Sequence, residues 1–216
     1  MSVESAVSDI ILYGGTFSPP HNGHVQAMRA AMEALHPMRA FVIPAAIPPH
    51  KRLSPDDAPV CRLEMTRLAM RDLPGWGESL TVSDYEIQKE GVSYTYQTLE
   101  HFSALYPRER GYRLNFLCGT DMMLTLDQWK RPETIFALAR ILLMRRENDR
   151  ALDDAVREKT ADYAARYGAE LLTLNAPPLP LSSTEIRQCL RRGDPLPAGL
   201  IPAQVMDYIE KKKLYG

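Results

Sequence analysis

The sequence lacks an excess of charge of either sign and lacks long apolar runs. Its 216 residues include 26 Lys and Arg against 27 Asp and Glu, so the formal net charge is −1. A protein that coats nucleic acid needs a basic surface, and near-neutral charge argues against such a partner. The longest apolar runs, such as Ala137–Met144 with its interrupting Arg140, are far shorter than the roughly 18 residues of a membrane span. We therefore expect neither nucleic-acid binding nor a membrane span.

Cysteine is also scarce. The three cysteines, Cys61, Cys118 and Cys189, are far apart and outside any CxxC pattern. They suggest neither a disulfide framework nor a zinc site. The segment Met1–Asp9 contains two acids and no base, so it does not resemble a secretion signal. These features predict a protein of the reducing cytoplasm.

Short apolar runs alternate with amphipathic stretches along the chain. The apolar runs predict strands over Ile10–Tyr13, Phe41–Ile43, Leu80–Ile87, Leu114–Leu117, Arg140–Met144 and Leu171–Leu174. Helical spacing predicts helices over Val25–Leu35, Val60–Arg71, Tyr94–Leu105, Leu152–Tyr167, Thr184–Arg192 and Ala203–Lys212. This alternation implies an α/β fold, a mostly parallel sheet with helices on both faces. We expect a single domain over residues 1–216.

The segment after the first strand predicts an anion site. Gly14 and Gly15 let backbone N–H groups approach an anion closely, and the next helix presents unpaired N–H groups and the positive end of its dipole. His21 and His24 are three residues apart, so both imidazoles can project to one side of the helix start. A lone histidine is more often a core residue, and a metal pair would need further ligands nearby. With neither a GxGxxG fingerprint nor a Walker A loop present, the pattern favours a phosphate site with two imidazole donors.

These residues belong to a longer pattern. The segment Gly14–His24 reads Gly-Gly-Thr-Phe-Ser-Pro-Pro-His-Asn-Gly-His and resembles the HxGH signature of the nucleotidyltransferase superfamily, in particular that of the nicotinate-nucleotide adenylyltransferases. Further phrases follow in that family's order: Pro49–Lys51 with Arg62, Ser93–Thr95, Gly119–Asp121 with Trp129, and Ser182–Arg187. The resemblance runs from about Ile10 to Tyr215. One departure is Ser18, where family members usually carry Asp; Ser can fill such a turn by bonding nearby backbone N–H groups.

The resemblance implies a Rossmann-like, doubly wound fold and a particular reaction. In that reaction the phosphate of nicotinate mononucleotide attacks ATP directly, giving deamido-NAD and pyrophosphate with no covalent enzyme intermediate. The implied cofactor is Mg²⁺ bound with ATP as co-substrate. ATP and nicotinate mononucleotide are then the small-molecule partners, and the sequence leaves open whether the protein is a homo-oligomer.

The resemblance also implies roles for individual residues. His21, His24 and Arg187 are the expected catalytic residues, which stabilise charge on the ATP phosphates. The expected ATP- and phosphate-binding residues are Gly14, Gly15, Thr16, Phe17, Lys51, Gly119, Asp121, Ser183 and Thr184. Thr95 is expected to contact the carboxylate of nicotinate mononucleotide, and Trp129 to offer a flat face to its ring. No residue is expected to ligate a metal.

Structural roles and other functions compete with these assignments. Ser182 and Glu185 can form a plain capping box, Asp121 can cap a helix, and Trp129 can be a core residue. Among functions, the alternatives are a sister transferase for phosphopantetheine or a cytidylyl group, a non-catalytic nucleotide sensor, and a fragment of a class I tRNA synthetase. The neutral charge and the absence of a KMSKS-type loop disfavour the last.

Overall fold

The computed structural model describes residues 7–49, 56, 58–89, 91–145, 150–175 and 182–216. Its strands are β1 (Ser8–Gly15), β2 (Arg39–Pro44), β3 (Leu80–Val82), β4 (Tyr112–Gly119), β5 (Ala139–Arg145) and β6 (Leu171–Asn175). They form one sheet in the order β3-β2-β1-β4-β5-β6, and every neighbouring pair is parallel. The strand order reverses between β1 and β4, as in a doubly wound sheet. The predicted α/β fold class is confirmed.

Nine α-helices lie among these strands in the described residues. They are α1 (Asn22–Leu35), α2 (Pro59–Met70), α3 (Tyr85–Gln88), α4 (Thr95–Leu105), α5 (Thr120–Met123), α6 (Pro132–Leu138), α7 (Arg150–Tyr167), α8 (Ser183–Arg192) and α9 (Ala203–Lys212). Two short 3-10 turns, Arg108–Arg110 and Leu126–Gln128, complete the described elements. None of the helices in the described ranges is long and apolar enough to cross a bilayer.

Successive residues of β1 pack into two separate hydrophobic cores. Ile10 and Leu12 pack in a cluster with Leu99 of α4, whereas Ile11 packs in a second cluster with Met28 of α1. Side chains of a strand alternate between the two faces of its sheet, and a parallel sheet covered on both faces is apolar on both. The continuous run Ile10–Tyr13 therefore reflects burial from two sides.

The predicted strand over Leu80–Ile87 is wrong in its second half. β3 ends at Val82, and the backbone N–H of Ser83 makes a last bond to the Val42 carbonyl of β2. The Ser83 hydroxyl then accepts a hydrogen bond from the N–H of Tyr85, which starts the one-turn helix α3. A polar Ser83-Asp84 pair thus redirects the chain, because such side chains compete with the sheet for backbone groups.

Candidate active site

A cavity of about 830 Å³ opens at the carboxyl edge of the sheet, where the strand order reverses. Open α/β sheets bind ligands at this edge. Six of the site residues expected from the sequence line this cavity: Gly14, Gly15, Thr16, Thr95, Asp121 and Trp129. The structure therefore brings the loop after β1, the start of α4 and the segment after β4 around one space.

Gly15 and Phe17 form a tight turn at the end of β1. A Cβ atom on Gly15 would lie 2.8 Å from Cζ of Phe17, closer than atoms pack, whereas one on Gly14 would meet only Phe116 at an ordinary 3.6 Å. Phe17 has a φ of 51°, a left-handed conformation that is uncommon for a residue with a side chain. Its buried ring is folded back over Gly15, so Gly15 rather than Gly14 is the position where only glycine fits.

His21 and His24 lie side by side at the start of α1. Their ring centroids are 3.9 Å apart, and the ring of His24 lies edge-on to Phe17 at 5.1 Å. His21 is buried and His24 is partly buried. The two histidines thus share one side of the helix start, next to the turn that ends β1.

The same two rings cap the helix. Nδ1 of His21 accepts a hydrogen bond from the N–H of Gly23 at 3.1 Å, and Nδ1 of His24 accepts one from the N–H of His21 at 3.1 Å. A neutral imidazole that accepts at one nitrogen carries its proton on the other. Both caps therefore leave the ring proton on Nε2, and each histidine is a donor through that atom.

Helix α8 docks its first turn on the loop that joins β1 to α1. The hydroxyl of Ser183 donates to the Pro19 carbonyl at 3.0 Å, and Nη1 of Arg187 donates to the Ser18 carbonyl at 2.5 Å. Nη2 of Arg187 donates to the Thr184 hydroxyl at 3.3 Å. Arg187, Ser183 and Thr184 therefore meet beside the histidine loop. Like His21 and His24, they are not among the described residues that line the cavity.

Of the structural roles that the sequence allows here, the capping box and the packing of Trp129 are present, whereas Asp121 does not cap its helix. Ser182 and Glu185 form the capping box of α8, which accounts for Ser182 but not for Arg187. Asp121 lies in the first turn of α5, where Gly119 is the N-cap residue, and its side chain is exposed toward the cavity. The indole of Trp129 is partly buried against the core and meets Phe116 edge-on at 6.3 Å while also lining the cavity.

A buried polar network lies under the cavity and was not assigned a role from the sequence. Nη1 of Arg62, on α2, donates to the Thr16 carbonyl, and its Nη2 donates to the Ala46 carbonyl, each at 2.9 Å. The N–H of Ala46 donates to the Ser93 hydroxyl at 2.9 Å. Arg62 is fully buried, so its guanidinium ties the loop after β1 to the loop after β2. Only its place in the motif order marked Arg62 in the sequence.

Glu86 of α3 extends this network toward α4. Its carboxylate accepts from the Thr98 hydroxyl at 2.5 Å and lines the cavity. Burial raises the pKa of Glu86 above its ordinary value, although hydrogen bonds from Thr98 and Ser93 and the nearby charge of Arg62 oppose that rise. Glu86 lies in the segment that the sequence pattern predicts as a strand, so the sequence does not predict it as a site residue.

The segment that carries Trp129 is held from behind by α7. The hydroxyl of Tyr163 donates toward the Met123 carbonyl and the Asp127 carboxylate, both at 2.9 Å. Nζ of Lys159 lies 2.8 Å from the same carboxylate. Burial alone would raise the pKa of Asp127, but these bonds from Lys159 and Tyr163 hold it below its usual value. The buried Tyr163 thus anchors both ends of the turn that precedes Trp129.

The remaining two expectations concern Lys51 and a bound metal ion. Lys51 lies outside the described residues, so its expected phosphate contact has no structural account. Within the described ranges, no three His, Cys, Asp or Glu side chains gather closely enough to hold a metal ion.

Comparison with known proteins places this fold and site in a family. A family model described as cytidylyltransferase-like matches residues 12–189. A probable nicotinate-nucleotide adenylyltransferase of Clostridium acetobutylicum is 32% identical over 204 residues, covering 94% of this chain and 97% of that protein. One of Clostridium botulinum strain Kyoto is 33% identical over 205 residues with the same coverage.

Solved structures match over nearly the whole chain. The Plasmodium falciparum nicotinic acid mononucleotide adenylyltransferase complexed with NaAD has a TM-score of 0.73 at 20% identity, covering 96% of this chain and 97% of that one. The same enzyme complexed with APC has a TM-score of 0.72 at 19% identity with the same coverage. At such identities the match shows the fold. The chain belongs to the cytidylyltransferase-like family, and its relatives within that family carry the name nicotinate-nucleotide adenylyltransferase.

Proposed function

We propose that this protein transfers the adenylyl group of ATP to the phosphate of nicotinate mononucleotide, giving deamido-NAD and pyrophosphate, a step of NAD biosynthesis. The observation that carries this proposal is the histidine pair at the start of α1, whose caps direct both Nε2–H donors away from the helix backbone. The relatives' names supply the substrates, at 31–33% identity over 94% of the chain.

The proposed chemistry needs no nucleophile from the protein. A phosphate oxygen of the mononucleotide attacks the α-phosphorus of ATP, one P–O bond forms, and the bond to the bridging oxygen of pyrophosphate breaks. Such transfer is mostly positioning and charge stabilisation along a line. His21 and His24 would donate through Nε2 to the phosphate oxygens as charge moves onto the leaving pyrophosphate.

The elements around the histidines would hold the rest of ATP. The backbone of Gly14, Gly15, Thr16 and Phe17 would cradle the transferring phosphate. Arg187, Ser183 and Thr184 sit at the start of α8, where backbone N–H groups and the helix dipole favour the β- and γ-phosphates. Asp121, beside Gly119, would accept from ribose hydroxyls, and Lys51 would contact phosphate.

The opposite wall of the cavity suits the mononucleotide. Thr95 at the first turn of α4 and Trp129 both line the cavity. The indole face would stack on the pyridine ring, and the hydroxyl of Thr95 would donate to the carboxylate of the ring. Gly14, Gly15 and Thr16 line the same cavity as Thr95 and Trp129, and the phosphates of the two substrates would meet there.

Mg²⁺ would enter with ATP rather than as a resident ion. Mg²⁺ typically keeps several of its waters and binds through one or two carboxylates and the phosphates of a substrate. When bound it would neutralise phosphate charge. We also propose a cytoplasmic location, since all three cysteines are free thiols.

One assay tests the proposed function. The protein is incubated with ATP, Mg²⁺ and, separately, nicotinate mononucleotide, nicotinamide mononucleotide or phosphopantetheine, and pyrophosphate release is measured. We expect turnover with nicotinate mononucleotide. Release with phosphopantetheine alone would indicate a sister transferase, and binding of ATP without turnover of any substrate would indicate a nucleotide sensor.

A further inference from the structure

Among the described residues that line the cavity, acidic side chains outnumber basic ones. Glu86 and Asp121 are acidic, and Lys130 is the single Lys or Arg side chain among the described residues that line it. A substrate that carries a carboxylate on its ring must enter past two acids. Among the described lining residues, only Lys130 carries a charge that attracts such a carboxylate.

Lys130 lies beside the residues proposed to hold the pyridine ring. It follows Trp129 in the sequence, and its Nζ lies 4.3 Å from the centroid of the Tyr94 ring. Tyr94 precedes Thr95, and both line the cavity with Trp129. An ammonium over an aromatic face is attracted to it and loses part of its freedom. The charge therefore sits between the two elements proposed to hold the pyridine ring.

The neighbouring cation shows a different arrangement. Arg131 also lies over a tyrosine, 4.9 Å from the Tyr96 centroid, but it pairs with Glu100 at 3.2 Å and does not line the cavity. For Lys130, no described carboxylate lies within ion-pair distance. Among the described residues, the Lys130 ammonium therefore has no carboxylate partner, whereas the Arg131 guanidinium pairs with Glu100 and Glu133.

We propose that Lys130 is a specificity-determining residue whose ammonium binds the ring carboxylate of the substrate and so favours the acid mononucleotide over the amide. This inference rests on the proposed function. The two mononucleotides differ only in carboxylate against neutral amide, so a cation at the ring discriminates between them while leaving their shared ribose phosphate untouched.

The test compares the kcat/KM values for the two mononucleotides. In Lys130→Met the ratio of the acid value to the amide value should fall about 10-fold, as expected for loss of one hydrogen bond to an ionised partner. Lys130→Arg should keep most of the ratio. Arg131→Gln, which also removes one positive charge beside a tyrosine, should leave the ratio unchanged. Thermal unfolding of each variant verifies that the protein remains folded.

Each outcome has a separate meaning. Turnover of the acid mononucleotide with an unchanged ratio in Lys130→Met overturns the inference and leaves the proposed function standing. Equal losses for both mononucleotides also overturn it, because the cation would then act on their shared phosphate. If the wild-type protein turns over neither mononucleotide, the proposed function fails and this assignment fails with it.

Discussion

At the scale of single residues, the two histidines each perform two tasks with two different nitrogen atoms. Nδ1 of His21 and Nδ1 of His24 accept from backbone N–H groups at the start of α1, and each Nε2 carries the donor proposed for phosphate. A substitution can therefore remove the Nε2 donor and keep the helix cap, because the cap needs only a hydrogen-bond acceptor near the backbone.

His21→Asn makes that separation, since asparagine is a strong N-cap residue but cannot reach phosphate with a ring donor. We expect kcat for adenylyl transfer to fall about 10²-fold, the usual loss for one charge-stabilising donor, with little change in thermal stability. His21→Ala should show the same kinetic loss and in addition lose about 1 kcal/mol of unfolding free energy. A wild-type kcat in His21→Asn would remove this ring from the mechanism.

At the scale of elements, α7 supports the cavity from outside it. Tyr163 is buried, and its hydroxyl bonds hold the turn over Met123–Asp127 that leads to Trp129. None of the residues of α7 whose side chains the structure describes lines the cavity, so the influence of this helix on a ligand would pass through that turn.

Tyr163→Phe should therefore lower the unfolding free energy by about 1–2 kcal/mol, since the substitution removes a buried hydroxyl that bonds to the Met123 carbonyl and the Asp127 carboxylate. It should also raise KM for the mononucleotide more than KM for ATP, and change the fluorescence of Trp129 measured in a Trp76→Phe background. The matched control is Tyr167→Phe, on the same helix, whose hydroxyl accepts from Arg166 at the surface. Equal effects in the two variants would contradict the anchoring role.

The sequence predicts these elements unequally. The predicted strand over Ile10–Tyr13 and the predicted helix over Ala203–Lys212 are confirmed. Burial on both faces of a sheet gives a continuous apolar run, and burial on one side of a helix gives a period of about 3.6 residues. The error at Leu80–Ile87 arises because Tyr85 and Ile87, which favour strands, lie beyond the last ladder bond at Ser83, and propensity alone cannot show where pairing stops. The helix α6 was missed because Pro132–Leu138 runs directly into the apolar strand β5.

The residues of the candidate site are also predicted unequally from the sequence. Residues in the loop after β1 are predictable, since glycines and histidines stand out between a strand and a helix. Glu86 and Tyr163 are not, because their importance comes from partners 12 and 36–40 residues away. A role made by long-range contacts leaves no local pattern in a single sequence.

At the scale of the whole molecule, a charged cluster joins strands at the amino edge of the sheet, opposite the cavity. The carboxylate of Asp9 on β1 accepts from Arg113 and Asn115 on β4, each at 2.8 Å, and lies 3.3 Å from Arg140 on β5. Burial alone would raise the pKa of Asp9, but the bonds from Arg113 and Asn115 outweigh it and hold the pKa below its usual value.

This cluster predicts an acid-dependent loss of stability. Because the folded-state pKa of Asp9 is lowered, its contribution is complete above the unfolded value of about 4 and is lost as pH falls through the folded value. Asp9→Asn should cost about 2 kcal/mol at pH 7, and its difference from wild type should shrink toward pH 2. Urea unfolding at several pH values measures this, and a difference that is constant with pH would contradict the assignment.

Arg62 has a consequence for how this protein can change its sequence. It bonds to the carbonyl oxygens of Thr16 and Ala46, and a carbonyl is common to every residue type. The joint between the two loops therefore places no demand on the side chains at positions 16 and 46, while it demands a guanidinium, with its paired donors, at position 62. Thr16, which lines the cavity, can thus be substituted while Arg62 still holds the two loops together, and a library at position 16 can test new substrates without loss of that connection.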